Sequence, residues 1–373
     1  MGRKDITQLE IKRLPEIFNL TDGHAHRDLL GDERVILETL SERFILAKRE
    51  QQQDFEGQYL RAFYKLVGQT IDHQAMKYML LPAASFSLEI VANYLRMRGL
   101  KLALIEPCFD NLVNIFKRHD IELEPFPDQL LESDDGLEDF LQTLESDAIC
   151  LVSPNNPTGI AYTEKNFKKI VDFCRDNQKL LVIDSSFRPY RPLEDAFDEY
   201  AIAKQSDIEC IFIEDSGKTW PTRELKVSIL AVSSNIFQPI FDIYTDMIYH
   251  HSPFTIGLVT EFIKHSIGDG LQTVRGIIQT NRSALRNAVE GSFLELAGKP
   301  YASVAWLRIN HSLTARMVHD LLAKKGVFVL EGSHFYWTDP QKGDRLIRVA
   351  LVRDPDIFTA ATERVKAVLA TID

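Results

Sequence analysis

The chain has 373 residues, 45% of them hydrophobic and 26% charged, with a formal net charge of −11. That is the makeup of a folded globular protein long enough for two domains, and it excludes a disordered chain. The acidic balance disfavours nucleic acid as a partner, because phosphates need Lys and Arg to neutralise them, and it mildly favours a cationic ligand. The longest apolar runs, such as DAICLVSP and KLLVIDSS, fall far short of the ~20 residues of a membrane span, and the start MGRKDITQLE has no signal-peptide core. A cytoplasmic protein without membrane contact is expected. Cys108, Cys150, Cys174 and Cys210 are irregularly spaced with no CxxC, which reads as reduced thiols and not as a disulfide or metal framework.

Residues 1 to about 45 read as a polar, helix-prone arm, free to cover another part of the molecule. From about residue 85 to 235, KLALIEP, AICLVSP, KLLVIDSS, CIFIEDS and SILAVSS are short apolar runs that predict buried strands. Between them, TEKNFKKIVDFCRDNQ repeats Phe167, Ile170, Val171 and Cys174 at helical spacing behind Thr163 as N-cap. This alternation predicts an α/β domain over residues 46–250, a mostly parallel sheet with its functional groups at the carboxyl ends of strands. Beyond residue 250 come a long helical stretch, the strand SVAWLRIN and the helix TARMVHDLLAKKG with Gly326 as its C′ residue. The strand RLIRVALV and a last helix from about Asp356 complete a smaller α+β domain over residues 251–373.

The segment IFIEDSGKTWPTRELKVSILAVS is the most informative. Its SGKT is like the end of a P-loop, but Phe212 stands where the first glycine of GxxxxGK[ST] belongs, so a nucleotide site is not expected. Lys218 follows a buried strand and precedes Trp220 and Pro221, where desolvation favours a nucleophilic amine over an ordinary surface lysine. Three other segments supply groups suited to pyridoxal phosphate. In SPNNPTG, Asn156 offers an amide to the phenolic oxygen while Pro157 and Gly159 make a sharp turn. Asp184, at the end of LLVIDSS, is a carboxylate able to keep a pyridine nitrogen protonated, although a lone strand-end aspartate is more often a helix cap. Ser85 of AASFSLEIVANYL reads as the N-cap of a helix whose amides receive a phosphate, with Lys226 adding positive charge; Phe109 of IEPCFDN is placed to stack on the ring.

In this order, Ser85, Phe109, Asn156, Asp184 and Lys218 resemble the type I aminotransferase family over essentially the whole chain. The resemblance implies a Schiff base between Lys218 and the cofactor, Ser216 and Ser186 as further cofactor contacts, and Arg348 of LIRVALV as the fork that binds a substrate α-carboxylate. It also implies a homodimer, with YTDMIYHHSPF as a segment reaching to the partner. Two features depart from the family: Phe187 replaces a tyrosine that usually touches the phenolic oxygen, and Lys226 replaces an arginine.

A narrower resemblance rests on ITQLE, FNLTDGHAHRDL, IEDSGKTWPTRELK and HFYW, which are similar to the pyridoxal-phosphate-dependent L-arginine oxidases and hydroxylases. It implies an arm that folds over the substrate, with Thr7 and Glu10 on the lid, Asp22 and His24 reaching the reacting atoms, and Glu10 with Asp215 holding the guanidinium. A permanently charged guanidinium in a closed pocket does need carboxylates. His24 and His26 have no third ligand nearby in sequence, so no metal is expected. The implied reaction takes L-arginine and O2 to 2-ketoarginine, to 4-hydroxy-2-ketoarginine, or to both, with release of ammonia. An aminotransferase of a basic amino acid, a dehydratase/cyclase of a hydroxylated arginine and a non-catalytic cofactor-binding protein remain open at this point.

Overall fold

The computed structural model describes residues 5–133, 135–222, 224–269 and 271–372. All five apolar runs are strands of one seven-stranded sheet. In spatial order its strands are Met76–Leu81, Ser228–Ser233, Cys210–Asp215, Leu180–Asp184, Ala148–Val152, Leu102–Glu106 and Leu123–Pro127. From Cys210–Asp215 to Leu123–Pro127 every pairing is parallel, whereas Ser228–Ser233 is antiparallel to both of its neighbours. The parallel strands other than the Leu123–Pro127 edge are buried along their whole length, as strands covered on both faces must be. One covering helix, Glu164–Asp176, begins as expected with Thr163 accepting the Asn166 N–H, and it buries Phe167, Ile170, Val171 and Cys174.

Two strands escape the sequence pattern. Met76–Leu81 reads MKYMLL and has no β-branched residue, so its strand preference is weak. Leu123–Pro127 contains two prolines, which cannot donate to a ladder; an edge is where such a strand belongs, and it lies at the sheet's edge.

A second, antiparallel sheet takes the order Leu330–Glu331, Leu346–Ala350, Val304–Ile309, Leu294–Leu296. The helices Ala315–Ala323 and Pro355–Leu369 accompany it, and Gly326, at φ +73°, turns the chain beyond the first of them. The first residues are tied to this sheet. Phe18–Asn19 pairs in parallel with Val327–Phe328, Leu20 donates to the Phe328 carbonyl, and the Leu20 carbonyl accepts from the Ala350 N–H. Ahead of that stitch the helix Ile6–Arg13 docks Ile6 among Trp306, Leu330 and Phe335. Among the described residues no helix is long and apolar enough to cross a membrane.

Below the carboxyl edge of the large sheet lies a buried charge network. Arg188 donates to Glu214 at 2.8 Å, to Glu199 at 2.9 Å and to Ser185 Oγ at 2.7 Å, while the Tyr200 hydroxyl donates to Glu214 at 3.1 Å. Burial pushes the Glu214 carboxyl up to about 8, with Arg188 opposing. The network joins the strands ending at Asp184 and Asp215 through side chains that water does not reach. Arg188→Leu leaves buried Glu214 without its cation and Glu199 with only the longer Arg191 contact at 3.7 Å, and is expected to cost about 3–5 kcal/mol, read from urea unfolding; a loss under ~1 kcal/mol would show that the network is not needed for folding.

Candidate active site

The carboxyl edge of the parallel strands, the helix Ala84–Arg98, the second sheet and the arm enclose a cavity of about 450 Å³. Each parallel strand contributes where it stops. Leu180–Asp184 delivers Asp184, whose Oδ1 accepts from the Ser186 amide at 3.0 Å and the Ser186 hydroxyl at 2.6 Å. Cys210–Asp215 delivers Asp215, and the turn after it carries Lys218 into the cavity. Asn156 follows Ala148–Val152, and Phe109 follows Leu102–Glu106. Under Asn156 the turn is held by Asn155, which donates to the Pro107 carbonyl at 2.8 Å and to Asp128 at 3.0 Å. Gly159 completes the turn at φ +72°, where any Cβ would lie 2.3 Å from the Lys299 carbonyl oxygen.

From the other side, the arm contributes Thr7, Glu10, Asp22 and His24, and the second sheet contributes Arg348. His24 is held by Asp22, Nδ1 to Oδ1 at 2.6 Å, so its Nε2 faces both Lys218 Nζ and Lys226 Nζ at 3.2 Å. The second oxygen of Asp22 takes His26. Burial alone would raise the Asp22 carboxyl, but the bonds from His24 and His26 hold it far below the usual carboxylate range. Burial, reinforced by the charges on Lys218 and Lys226, lowers His24, so its imidazole is neutral near pH 7 with Nε2 as acceptor. Lys226 donates to Glu224 at 2.8 Å; burial works against its charge, yet Asp215 and Glu224 hold it above the ordinary lysine value.

All but one of the candidate residues therefore meet in one cavity. The exception is Ser216: its hydroxyl accepts the Val227 N–H at 2.8 Å inside the turn, and it does not line the space. Three further expectations change in detail. Ser85 is not the N-cap: Ala83, at φ −166° and ψ 156°, holds that position, and Ser85 lies in the first turn with its hydroxyl accepting from Asn111 Nδ2 at 2.9 Å. Asp215 is engaged by the amides of Ala84 at 2.9 Å and Gly217 at 2.5 Å, and it supports Lys226. Glu10 bonds Arg348 at 2.7 Å, while it and Asp215 both line the cavity. Sequence reasoning passed over Gly23, Glu224, Asn111 and Gly217. Only Gly217 left a signal, as the glycine directly before the lysine: a Cβ there would meet Lys226 Cδ at 2.6 Å and Asp215 Oδ1 at 2.9 Å.

Pyridoxal phosphate fits these residues. Burial raises the Asp184 carboxyl against the pull of its Ser186 bonds, which marks a site that a cationic ring nitrogen would stabilise. Arg348 Nε is buried with no hydrogen-bond partner, and Asn156 accepts from Arg348 Nη1 through its carbonyl oxygen at 3.2 Å, leaving its amide donors for a ligand. Phe187 lines the cavity without a hydroxyl, and the nearby Tyr190 hydroxyl is spent on the Lys218 carbonyl.

A strand-edge cavity with lysine, aspartate, asparagine and a buried arginine so arranged defines a pyridoxal-phosphate enzyme of the aminotransferase fold. The chain belongs to the aminotransferase class I and II family, whose model matches residues 51–363. The structure is similar to that of MppP soaked with the product 2-ketoarginine, with 27% identity, a TM-score of 0.87, and 94% of this chain and 99% of that one covered. The resemblance to the arginine-using group within this fold is supported by that match. It is also similar to the α-aminoadipate aminotransferase LysN of Thermus thermophilus, at 16% identity and TM-score 0.79, covering 99% of this chain and 95% of that one. Aspartate aminotransferase of Thermus thermophilus with maleate matches at 13% identity and TM-score 0.80, over 99% and 97% of the two chains. These last two show the fold alone.

Asp184→Asn removes the buried charge while keeping the shape. It should weaken retention of pyridoxal phosphate at least about tenfold, measured by equilibrium dialysis and visible absorbance. Unchanged retention would take Asp184 out of the cofactor site.

Proposed function

We propose that this chain is an O2-using oxidase or hydroxylase of L-arginine that depends on pyridoxal phosphate. The observation that carries the reading is the lid histidine: His24, oriented by Asp22, meets Lys218 at 3.2 Å. The similarity to a protein solved with 2-ketoarginine as product supports arginine as the substrate class.

When bound, pyridoxal phosphate supplies the electron sink that accepts the pair freed as the substrate's α C–H bond breaks. Lys218 removes that proton. Neutral His24 accepts through Nε2 and exchanges protons with Lys218 and with water, while Asp22 steadies the imidazolium that forms. With the cofactor bound, Asp184 would stabilise positive charge at the ring nitrogen, Asn156 would hold the phenolic oxygen, and Phe109 would pack against the ring. Arg348 receives the α-carboxylate, and carboxylates from the lid and floor compensate the guanidinium. For simple oxidation the atoms balance as arginine, O2 and water giving 2-ketoarginine, ammonium and hydrogen peroxide. The arm covers the reacting atoms and keeps bulk water from them. A homodimer with residues 244–254 near the partner, and residues 1–45, 46–250 and 251–373 as arm, large domain and small domain, complete the proposed organisation.

The decisive experiment mixes the holoenzyme with L-arginine and no keto acid, then follows dissolved oxygen and ammonia. Both should change together. Ammonia-free turnover that appears only when a keto acid is added would replace this reading with transamination.

The pH dependence is directional. Because His24 is held below the ordinary histidine value of about 6.5, oxygen uptake should stay high above that pH and fall as acid protonates Nε2. His24→Asn should lower the rate by about 10²–10⁴-fold and remove that acid limb. A profile identical in the variant would assign the limb to another group.

A further inference from the structure

Two charges expected to bind opposite ends of the substrate are bonded to each other. Glu10 Oε1 accepts from Arg348 Nη2 at 2.7 Å across a sequence separation of 338 residues, and both side chains are buried. Arg348 has other anchors: Nη1 donates to the Asn156 carbonyl oxygen at 3.2 Å, and Nη2, which Glu10 engages, also donates to the Thr21 backbone carbonyl, while Nε has no partner. Among the described residues Glu10 shows no second hydrogen-bond anchor: the Asp22 charge works against its ionised form, and the Lys218 charge on the floor favours it. Of the two partners, Glu10 is the one free to exchange. The helix that carries it is kept docked by other contacts, Ile6 against Trp306, Leu330 and Phe335, and the Ile6 amide donating to Asp110 at 2.7 Å.

We propose that the Glu10–Arg348 ion pair is a charge-exchange filter, in which the Glu10 carboxylate occupies the place of the substrate's α-carboxylate until a ligand satisfies both partners at once. The inference rests on the arginine reading above and adds to it a reason for selectivity. A substrate carboxylate displaces Glu10 from Arg348, and the guanidinium of the same molecule then accepts the released Glu10. A ligand with a carboxylate but no distal cation frees Arg348 from Glu10 and strands a buried carboxylate, which is strongly unfavourable. A guanidine without a carboxylate has to take Glu10 away from a buried arginine that then loses the carboxylate it is paired with. Only the molecule carrying both groups exchanges one buried ion pair for two. Burial raises the Glu10 carboxyl against the pull of Arg348, consistent with a pair whose desolvation is incompletely compensated and which is ready to be traded.

A fixed guanidinium ligand and an exchanging one differ in a measurable way. If Glu10 only contacts the guanidinium, Glu10→Gln weakens L-arginine and leaves ligands without a cation unchanged. If Glu10 also competes for Arg348, the same substitution weakens L-arginine and tightens L-norleucine. The experiment titrates the holoenzyme under nitrogen with L-arginine, L-norleucine and agmatine, following cofactor absorbance and binding heat, so turnover plays no part. In the native protein L-arginine should bind at least about a hundredfold more tightly than either partial ligand. In Glu10→Gln, L-norleucine should gain about tenfold while L-arginine loses about tenfold or more. Hydrogen exchange over residues 6–13 checks that the helix remains docked; were it released, Glu10→Asp, which keeps the charge on a shorter stem, is titrated in its place with the same expected signs. Norleucine affinity that does not rise when Glu10 is replaced would overturn the filter. Native protein that prefers norleucine to arginine would instead defeat the substrate reading, and a rise for norleucine on replacing Glu10 would still stand.

Discussion

Burying charge demands partners, and in this molecule the partners come from opposite ends of the chain. Arg348, fully inaccessible on a strand near the C terminus, is bonded by Glu10 from the first helix, by the Thr21 carbonyl from the arm and by Asn156 from the large sheet. No one of the three contributing regions can bury this arginine alone, because each supplies only part of its hydrogen bonding. The cavity exists where the three meet. Its cover is held there by backbone pairing of Phe18–Asn19 with Val327–Phe328 and by the seat of Ile6, contacts that leave the charged groups available for a ligand.

The floor and the cover differ in kind. Asp184 and Asp215 end adjacent parallel strands, and the Arg188 network with Glu214, Glu199 and Ser185 ties those strands together beneath them. Groups on such a floor have positions set by a sheet ladder and by buried ion pairs, which suits the part of the reaction that must be geometrically fixed. The arm is attached by the pairing of Phe18–Asn19 with Val327–Phe328, by backbone bonds of Leu20 with Ala350 and of His26 with Val352, and by buried Arg353 donating to the Asn19, Asp22 and His24 carbonyls. The helix Ile6–Arg13, ahead of that stitch, is held by the seat of Ile6 and a few polar contacts, and it is the part of the cover suited to opening for a substrate. Chemistry on the floor and selection on the cover is a division that follows from how each is built.

Much of this was legible in the sequence because the large sheet is written in long apolar runs with turn signals after them. Leu180–Asp184 and Cys210–Asp215 could be found from hydrophobicity alone, and strand ends in α/β sheets are where polar side chains gain access to ligands. Met76–Leu81 and Leu123–Pro127 were silent, since methionine, lysine and proline carry little strand preference. For the site, residue type and order pointed to Asp184, Asn156, Lys218 and Arg348, which do meet in one cavity, but their partners were beyond reach. Nothing in a linear pattern says that Asp215 will be taken by the Ala84 amide, 131 residues away, or that Glu10 will turn to Arg348, 338 residues away; those outcomes depend on distances in space between separate segments. Ser216 was misassigned for the same reason, because a hydroxyl beside the lysine can face either the cavity or the turn, and here the Val227 amide claims it.

The substitution at Phe187 has a related logic. A tyrosine hydroxyl there would have given the phenolic side of the cofactor a second donor; phenylalanine keeps the volume and removes the donor, while the hydroxyl three residues on, at Tyr190, is committed to the Lys218 backbone. On the proposed reading, polar contact on that side falls to Asn156, whose carbonyl end is oriented by Arg348. The added proton-handling group in the cavity comes from the arm, as His24 between Lys218 and Lys226. A neutral imidazole between two amines is stable only while Asp22 holds its Nδ1, and Asp22 lies two residues away on the same segment. In the proposed reaction, proton transfer at Lys218 is thereby conditional on the arm being seated, since the arm that covers the cavity also carries the imidazole facing Lys218 Nζ.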